Sequence, residues 1–212
     1  PIRAAAIMLP ILIVQDMVSV WFYRHDFDRR VTAILLGGSL IGIAGGALFA
    51  AHVSNAAVLL IVGLIASGFV LYSWLRKGSQ GEEPQPANVA PGLFWGAVLG
   101  FTSFIANAGS PPFQVYVLPQ RLKPQTYAGV QTMVFAAVNL IKLGAFFALG
   151  QVSFDNFAVS ASLFPLAIVA TFAGVWLVRR VQAGLFYKFV YAMTFVIGLK
   201  LIWDGARGLG LV

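Results

Sequence analysis

Long apolar runs separated by short polar connections make up most of this chain. An α-helix of about 20 apolar residues crosses the roughly 30 Å of hydrocarbon in a bilayer. Runs of that length predict full membrane spans at residues 4–23, 31–51, 55–75, 125–149, 155–178 and 184–204. The pattern therefore predicts an all-α integral membrane protein, a polytopic helical bundle.

The apolar segment 91–120 differs from the others because it is interrupted. Its first part is nearly long enough to span, and Gly109-Ser110-Pro111-Pro112 then stops the helical pattern. In hydrocarbon every backbone N–H and C=O needs a partner, so a helix break persists only where it is buried in protein or lines a wet cavity. The segment therefore predicts either a broken helix that crosses the membrane or a re-entrant hairpin, with a site at the break.

The basic residues help to decide between these two alternatives. Only 10% of residues are charged, and 14 Lys+Arg against 7 Asp+Glu give a net charge of +7. Lys and Arg mark cytoplasmic loops, and a hairpin at 91–120 places the basic connections on the same side as connection 24–30. A crossing segment would place Arg121, Lys123 and Arg179 outside. The charge pattern favours the hairpin, and it indicates membrane topology rather than nucleic-acid binding.

A polar linker at 77–90 divides the chain into two similar halves. We predict a first three-helix repeat over residues 1–76, a cytoplasmic linker, and a second repeat over residues 91–212. With the hairpin topology the two repeats have opposite orientations, which is the inverted-repeat architecture of many secondary transporters. The first repeat has no hairpin before it, so we expect an N-terminal hairpin to be missing ahead of Pro1.

Several polar residues lie inside the predicted spans. Lys142 is about 12 Å from the end of its helix, and it shares one face with three other polar residues, Gln131, Thr132 and Asn139. Such a stripe is expected to face the bundle interior. These side chains either bind substrate or form hydrogen bonds between helices. For Gln131 and Thr132 the two interpretations have equal weight.

The first repeat carries a comparable pair of polar residues, Gln15 and Asp16. Gln15 lies midway along its span, as Asn139 does in the second repeat, and we expect both to line a binding site. Asp16 is either a proton-coupling group or the ion-pair partner of Lys142 or Arg24.

The break itself offers anion-binding chemistry. Ser110 is expected to be the N-cap of a second short helix, with Pro111 in its first turn. Gly109 would permit close backbone approach or a positive φ. A helix N-terminus attracts anions, and Asn107 and Gln114 add neutral donors. The alternative is that this turn is an ordinary loop end. Together with the cation of Lys142, however, these donors predict a site for a small anion.

Other classes of function find little support in the residues. The chain has no Cys and two isolated histidines, His25 and His52, so we expect neither a metal site nor a cofactor. The acidic pair Asp26 and Asp28 lies in a predicted connection and is interpreted as a solvated turn, so we do not expect an enzyme. An anion channel and a structural or assembly protein remain alternatives.

The run Asn107-Ala108-Gly109-Ser110-Pro111-Pro112-Phe113-Gln114-Val115-Tyr116, followed by Thr132, Asn139, Lys142 and Gly150, resembles the second half of the sulfite exporter TauE/SafE family. Pro10, Asp16, Tyr23-Arg24 and the glycines from Gly42 to Gly46 are similar to its first half, so the resemblance covers essentially the whole chain.

This resemblance implies an inverted-repeat carrier of the bacterial inner membrane for sulfite, thiosulfate or an organosulfonate. It also implies coupling to an ion gradient, either protons or sodium. Another small carboxylate or oxyanion is the alternative substrate. Ser110 stands where the family often has Gly, and we expect the family's N-terminal hairpin to lie ahead of Pro1. Substrate identity, direction of transport, coupling ion and oligomeric state therefore stay open.

Overall fold

The computed structural model describes residues 2–50, 52–76, 84–148 and 154–211, and over these ranges the chain is helical. The helices are α1 (Ile2–Tyr23), α2 (Arg29–Phe49), α3 (Asn55–Arg76), α4 (Val89–Ala106), α5 (Ser110–Val117), α6 (Pro124–Ala148), α7 (Phe154–Arg180) and α8 (Ala183–Gly208), with a 3₁₀ turn at Leu118–Gln120 after α5. The all-α prediction is confirmed. Residues 77–83 of the predicted linker and residues 150–153 of the connection predicted at 150–154 lie outside the described residues.

Five described helices are long and apolar enough to cross a membrane: α2, α3, α4, α8 and the Leu163–Arg180 part of α7. In α1 the side chains are described from Pro10 onward, and the apolar part Pro10–Tyr23 is shorter. Helix α6 has 25 residues, and its side chains are described as far as Gly144. Helix α4, predicted only as one arm of the interrupted segment, is among the five.

The chain divides into two compact units. The first unit comprises Pro1–Thr32 and Lys123–Val181, and it contains α1, α6 and α7. In this unit α1 packs against both α6 and α7. The second unit comprises Ala33–Leu122 and Gln182–Val212 and contains most of α2 with α3, α4, α5 and α8. Each unit thus draws helices from both predicted repeats, whose inverted relationship remains a prediction.

Within the second unit, α2 and α4 approach closely through glycines spaced four residues apart. Helix α2 carries Gly38 and Gly42, and α4 carries Gly96 and Gly100. A Cβ on Gly42 would lie 1.9 Å from the Ala97 carbonyl oxygen. This is the small-residue packing by which apolar helices associate in a bilayer, and it fixes α4 against α2.

A second glycine interface joins α3 to α8 in the same unit. A Cβ on Gly63 would lie 2.7 Å from the Gly198 carbonyl oxygen, and one on Gly205 would lie 2.5 Å from the Leu60 nitrogen. These contacts leave no space for larger side chains along the interface. The hairpin that carries the helix break therefore belongs to a tightly packed unit.

The interrupted segment is a hairpin in this structure, as the charge pattern favours. Helix α5 packs back along α4, and the Tyr116 hydroxyl donates a 3.0 Å hydrogen bond to the Asn88 carbonyl just before α4. The Gln85 N–H donates to the Pro119 carbonyl at 3.1 Å. These bonds place the end of the hairpin beside its start.

Candidate functional site

The break between α4 and α5 is formed by Asn107 in the left-handed conformation, with φ 51° and ψ 29°. The Asn107 N–H donates to the Ser103 carbonyl and the Ala108 N–H to the Thr102 carbonyl, each at 3.2 Å. The Thr102 hydroxyl lies 3.1 Å from the Ala108 carbonyl oxygen. Asn tolerates this conformation better than most residues. The hydrogen of the Thr102 hydroxyl is shared between the Ala108 carbonyl and the Val98 carbonyl of α4, which lies 2.8 Å away.

One prediction about this turn is wrong, because Gly109 rather than Ser110 stands at the N-cap of α5. Gly109 has φ −78° and ψ −20°, which excludes the positive-φ alternative, and close backbone approach at Gly109 remains a prediction. The chain reverses at Asn107, so the reversal is complete before Gly109. Ser110 is consequently the first residue of the helix.

The start of α5 offers few backbone donors. Pro111 and Pro112 have no N–H, and the Phe113 N–H already donates to the Gly109 carbonyl at 3.3 Å. An anion at this helix end would therefore be bound by the amides of Gly109 and Ser110 and by neighbouring side chains. Gly109 is buried and Ser110 half-buried, whereas Asn107 is exposed.

Gln114, one turn into α5, is held by α8. The hydroxyl of Thr194, which is fully buried, lies 2.9 Å from the Gln114 side-chain carbonyl oxygen and 2.7 Å from the Val190 carbonyl oxygen of its own helix, and its one hydrogen is shared between them. Thr194 was not predicted as a site residue, and a lone threonine in a long apolar helix is the sequence signal for it. This bond supports a role for Gln114 in helix packing, and its role in substrate binding remains a prediction.

The first unit contains a second polar cluster, at the contact between α1 and α6. The Asn139 amide donates a 2.7 Å hydrogen bond to the Asp16 carboxylate. Asn139 is 5% exposed and Lys142 only 1% exposed. Lys142 follows Asn139 by three residues, a spacing that places both on nearly the same face of α6, and α1 packs against α6.

The charges in this cluster interact. Asp16 and Lys142 attract each other electrostatically, whereas the Arg24 Nε donates to the His25 ring. In a low-dielectric interior an isolated ammonium group is costly, and a nearby carboxylate reduces that cost. The cluster therefore combines a buried ammonium group, a half-buried carboxylate that attracts it, and an amide that donates to that carboxylate.

The predicted site residues fall into two groups, one in each unit. Gln15, Asp16, Gln131, Thr132, Asn139 and Lys142 belong to the first unit, and Asn107, Gly109, Ser110, Pro111 and Gln114 belong to the second. Gln15, Gln131 and Thr132 are half-buried on their helices. Within the first unit the structure brings Asp16, Asn139 and Lys142 together.

A set of apolar helices, a hairpin with a helix break and a fully buried lysine define a multi-pass membrane transporter. The family model of the sulfite exporter TauE/SafE family matches residues 1–201 of the chain, and the protein therefore belongs to that family. No curated protein and no solved structure matched the chain. In the part of the chain that the structure describes, no three His, Cys, Asp or Glu side chains are grouped to hold a metal ion.

Proposed function

We propose that the protein is a secondary transporter that moves a small sulfur-containing oxyanion, such as sulfite, thiosulfate or an organosulfonate, across the bacterial inner membrane by alternating access. Membership of the sulfite exporter family supports the substrate class. The observation that carries the proposal is the burial of Lys142, which is 1% exposed within an apolar helix. A buried cation at membrane depth marks a substrate or ion pathway more often than a structural contact.

Asp16 is proposed to couple anion transport to proton movement. While Asp16 is ionised, it neutralises Lys142, and an arriving anion would add an uncompensated charge to the cluster. When Asp16 is protonated, the positive charge of Lys142 is available to bind a monoanion. One proton would therefore enter with each monoanion, and Asn139, which donates to Asp16, would hold the carboxyl group in place.

The start of α5 is proposed as a second substrate-binding element. Its donors are the amides of Gly109 and Ser110, the Ser110 hydroxyl and the Asn107 side chain. The positive end of the helix dipole favours an oxyanion there. Pro111 fixes the first turn, so these donors are held before substrate arrives. Gln131, Thr132 and Gln15 are proposed as neutral side chains that contact substrate from α6 and α1.

Transport by proteoliposomes tests the proposal. The purified chain is reconstituted, and the initial rate of sulfite or thiosulfate entry is measured for the native protein and for Lys142→Gln. We expect at least a tenfold loss of rate in the variant, with an unchanged gel-filtration profile. Lys200→Gln is the matched control, because Lys200 is an exposed lysine that pairs with Asp204 on α8. Full activity in Lys142→Gln would overturn the site assignment.

The alternatives make different predictions in the same vesicles. A carrier shows counterflow, in which unlabelled substrate inside accelerates entry of labelled substrate, and its rate saturates. An anion channel shows conductance without counterflow. If small carboxylates are carried faster than sulfur oxyanions, the substrate class is wrong, although the carrier mechanism stands.

A further inference from the structure

We propose that the ends of α1 and α7 form a binding site for the headgroup of an anionic phospholipid. The site is the arginine–tryptophan patch, formed by Trp21, Arg24, Trp176 and Arg180. The guanidinium carbon of Arg24 lies 4.0 Å from the centre of the Trp21 ring, and that of Arg180 lies 4.5 Å from the Trp176 ring. Two arginine–indole stacks thus occur at the same end of two packed helices.

Arg179 fixes the two helix ends together. Its guanidinium donates a 3.1 Å hydrogen bond to the Phe22 carbonyl at the end of α1 and lies 4.0 Å from the Asp26 carboxylate. The rings of Phe22 and Phe172 meet edge to face below it, with centres 5.1 Å apart. The two arginine–tryptophan stacks are therefore held on a common support.

Stacking prepares both arginines for a phosphate group. A guanidinium that lies flat on an indole ring is attracted to the ring face and keeps its N–H donors at its edge. The Nε of Arg24 donates to His25 at 3.1 Å, so its donors for a ligand are on the Nη groups. Two planar donors of this kind suit the oxygens of a phosphodiester, which guanidinium groups bind in a bidentate manner.

The surrounding charge favours an anion. Arg29 and Arg30 follow the same connection along the chain, and Lys123 belongs to the same unit. The connection carries two carboxylates: Asp26 lies beside Arg179, and Asp28 accepts the Val31 N–H at 2.9 Å. Arg24, Arg29, Arg30, Arg179 and Arg180 outnumber these two carboxylates, so the net charge of the chain segments around the patch is positive.

The exposed tryptophans indicate a lipid rather than free phosphate. Trp21 is 67% exposed and Trp176 is 56% exposed, and indole rings of membrane proteins concentrate at the level of the headgroups. A lipid offers acyl carbons to the rings and a phosphate to the arginines at one position. Basic pockets between helices on the cytoplasmic side bind lipid headgroups by the same chemistry.

Native mass spectrometry of the purified full chain in a neutral detergent tests the proposal. The protein is titrated with phosphatidylglycerol, and bound lipid is counted for the native chain and for Arg24→Gln/Arg180→Gln. We expect the variant to bind about 30-fold more weakly, the loss anticipated for two arginines at an anionic surface. Lys188→Gln/Arg207→Gln, which removes two exposed charges from α8, should bind as the native chain does.

Further binding measurements distinguish between the possible ligands. Phosphatidylcholine and soluble glycerol phosphate should bind at least tenfold more weakly than phosphatidylglycerol. Arg24→Lys/Arg180→Lys preserves the charge but removes the planar donors, and an intermediate affinity is expected. Undiminished lipid binding in the glutamine variant would overturn the proposal, as would equally tight binding of glycerol phosphate.

Discussion

The side-chain amide of Asn139 donates a 2.7 Å hydrogen bond to the carboxylate of Asp16, 123 residues earlier in the chain. The bond joins the middle of α6 to α1 in the first unit, where Asn139 is almost completely buried. Lys142, one turn further along α6, interacts with the same carboxylate. Asp16 therefore serves two partners on one helix, and its removal would affect both.

Replacement of Asp16 by Asn should destabilise the protein by about 1–3 kcal/mol, because the Lys142 charge loses its compensation in a buried position. The change in stability is measured by thermal unfolding in detergent, with size-exclusion chromatography used to monitor the loss of folded protein. The double variant Asp16→Leu/Lys142→Met removes both charges and should be at least as stable as Asp16→Asn. If the double variant is the less stable of the two, the ion pair is not what stabilises this contact.

The α2–α4 interface predicts a sharp contrast between two glycines of one helix. Gly42→Ala places a methyl group 1.9 Å from the Ala97 carbonyl oxygen, whereas at Gly45 the nearest atom, on the Phe101 ring, is 4.0 Å away. We expect Gly42→Ala to reduce the yield of monodisperse protein severely and Gly45→Ala to leave it unchanged. Equal yields would mean that α2 and α4 separate without cost.

Asp28 is predicted to cap α2. Its carboxylate accepts the Val31 N–H at 2.9 Å, which satisfies one of the unpaired donors at the start of a helix. Asp28→Ala should therefore cost about 1 kcal/mol, and Asp28→Asn, which keeps an acceptor oxygen, should cost a few tenths. The two variants are compared by their unfolding temperatures. A similar loss in both would assign the effect to the charge and not to the cap.

Hydrophobic patterning predicted the helices, and the distribution of Lys and Arg favoured the hairpin. Apolar runs have a length that hydrocarbon requires, and Lys and Arg accumulate on one side of a membrane, so both features follow from the chain alone. The polar stripe on α6 followed from helical periodicity in the same way. Burial of Asn139 and Lys142 agrees with it.

Local conformation at the break was harder to predict. Both Asn107 and Gly109 can adopt a left-handed backbone, and the choice of Asn107 depends on contacts that form only when α4 is folded, such as the Thr102–Ala108 bond. Thr194 was missed for a related reason, since a threonine in an apolar helix commonly satisfies its own backbone. Its bond to Gln114 depends on the packing of α5 against α8.

Thr102 provides a test of whether the break must be rigid for transport. Thr102→Val preserves the shape of the side chain but removes the hydroxyl that lies 3.1 Å from the Ala108 carbonyl oxygen, so that buried polar group loses a partner. We expect a stability loss of about 1 kcal/mol and a severalfold loss of substrate affinity, because Ala108 directly precedes the Gly109 and Ser110 donors. Thr102→Ser retains the hydroxyl and should restore both. Affinity is measured by thermal shift with sulfite or thiosulfate. Native affinity in a stably folded Thr102→Val variant would show that substrate binding does not depend on this bond.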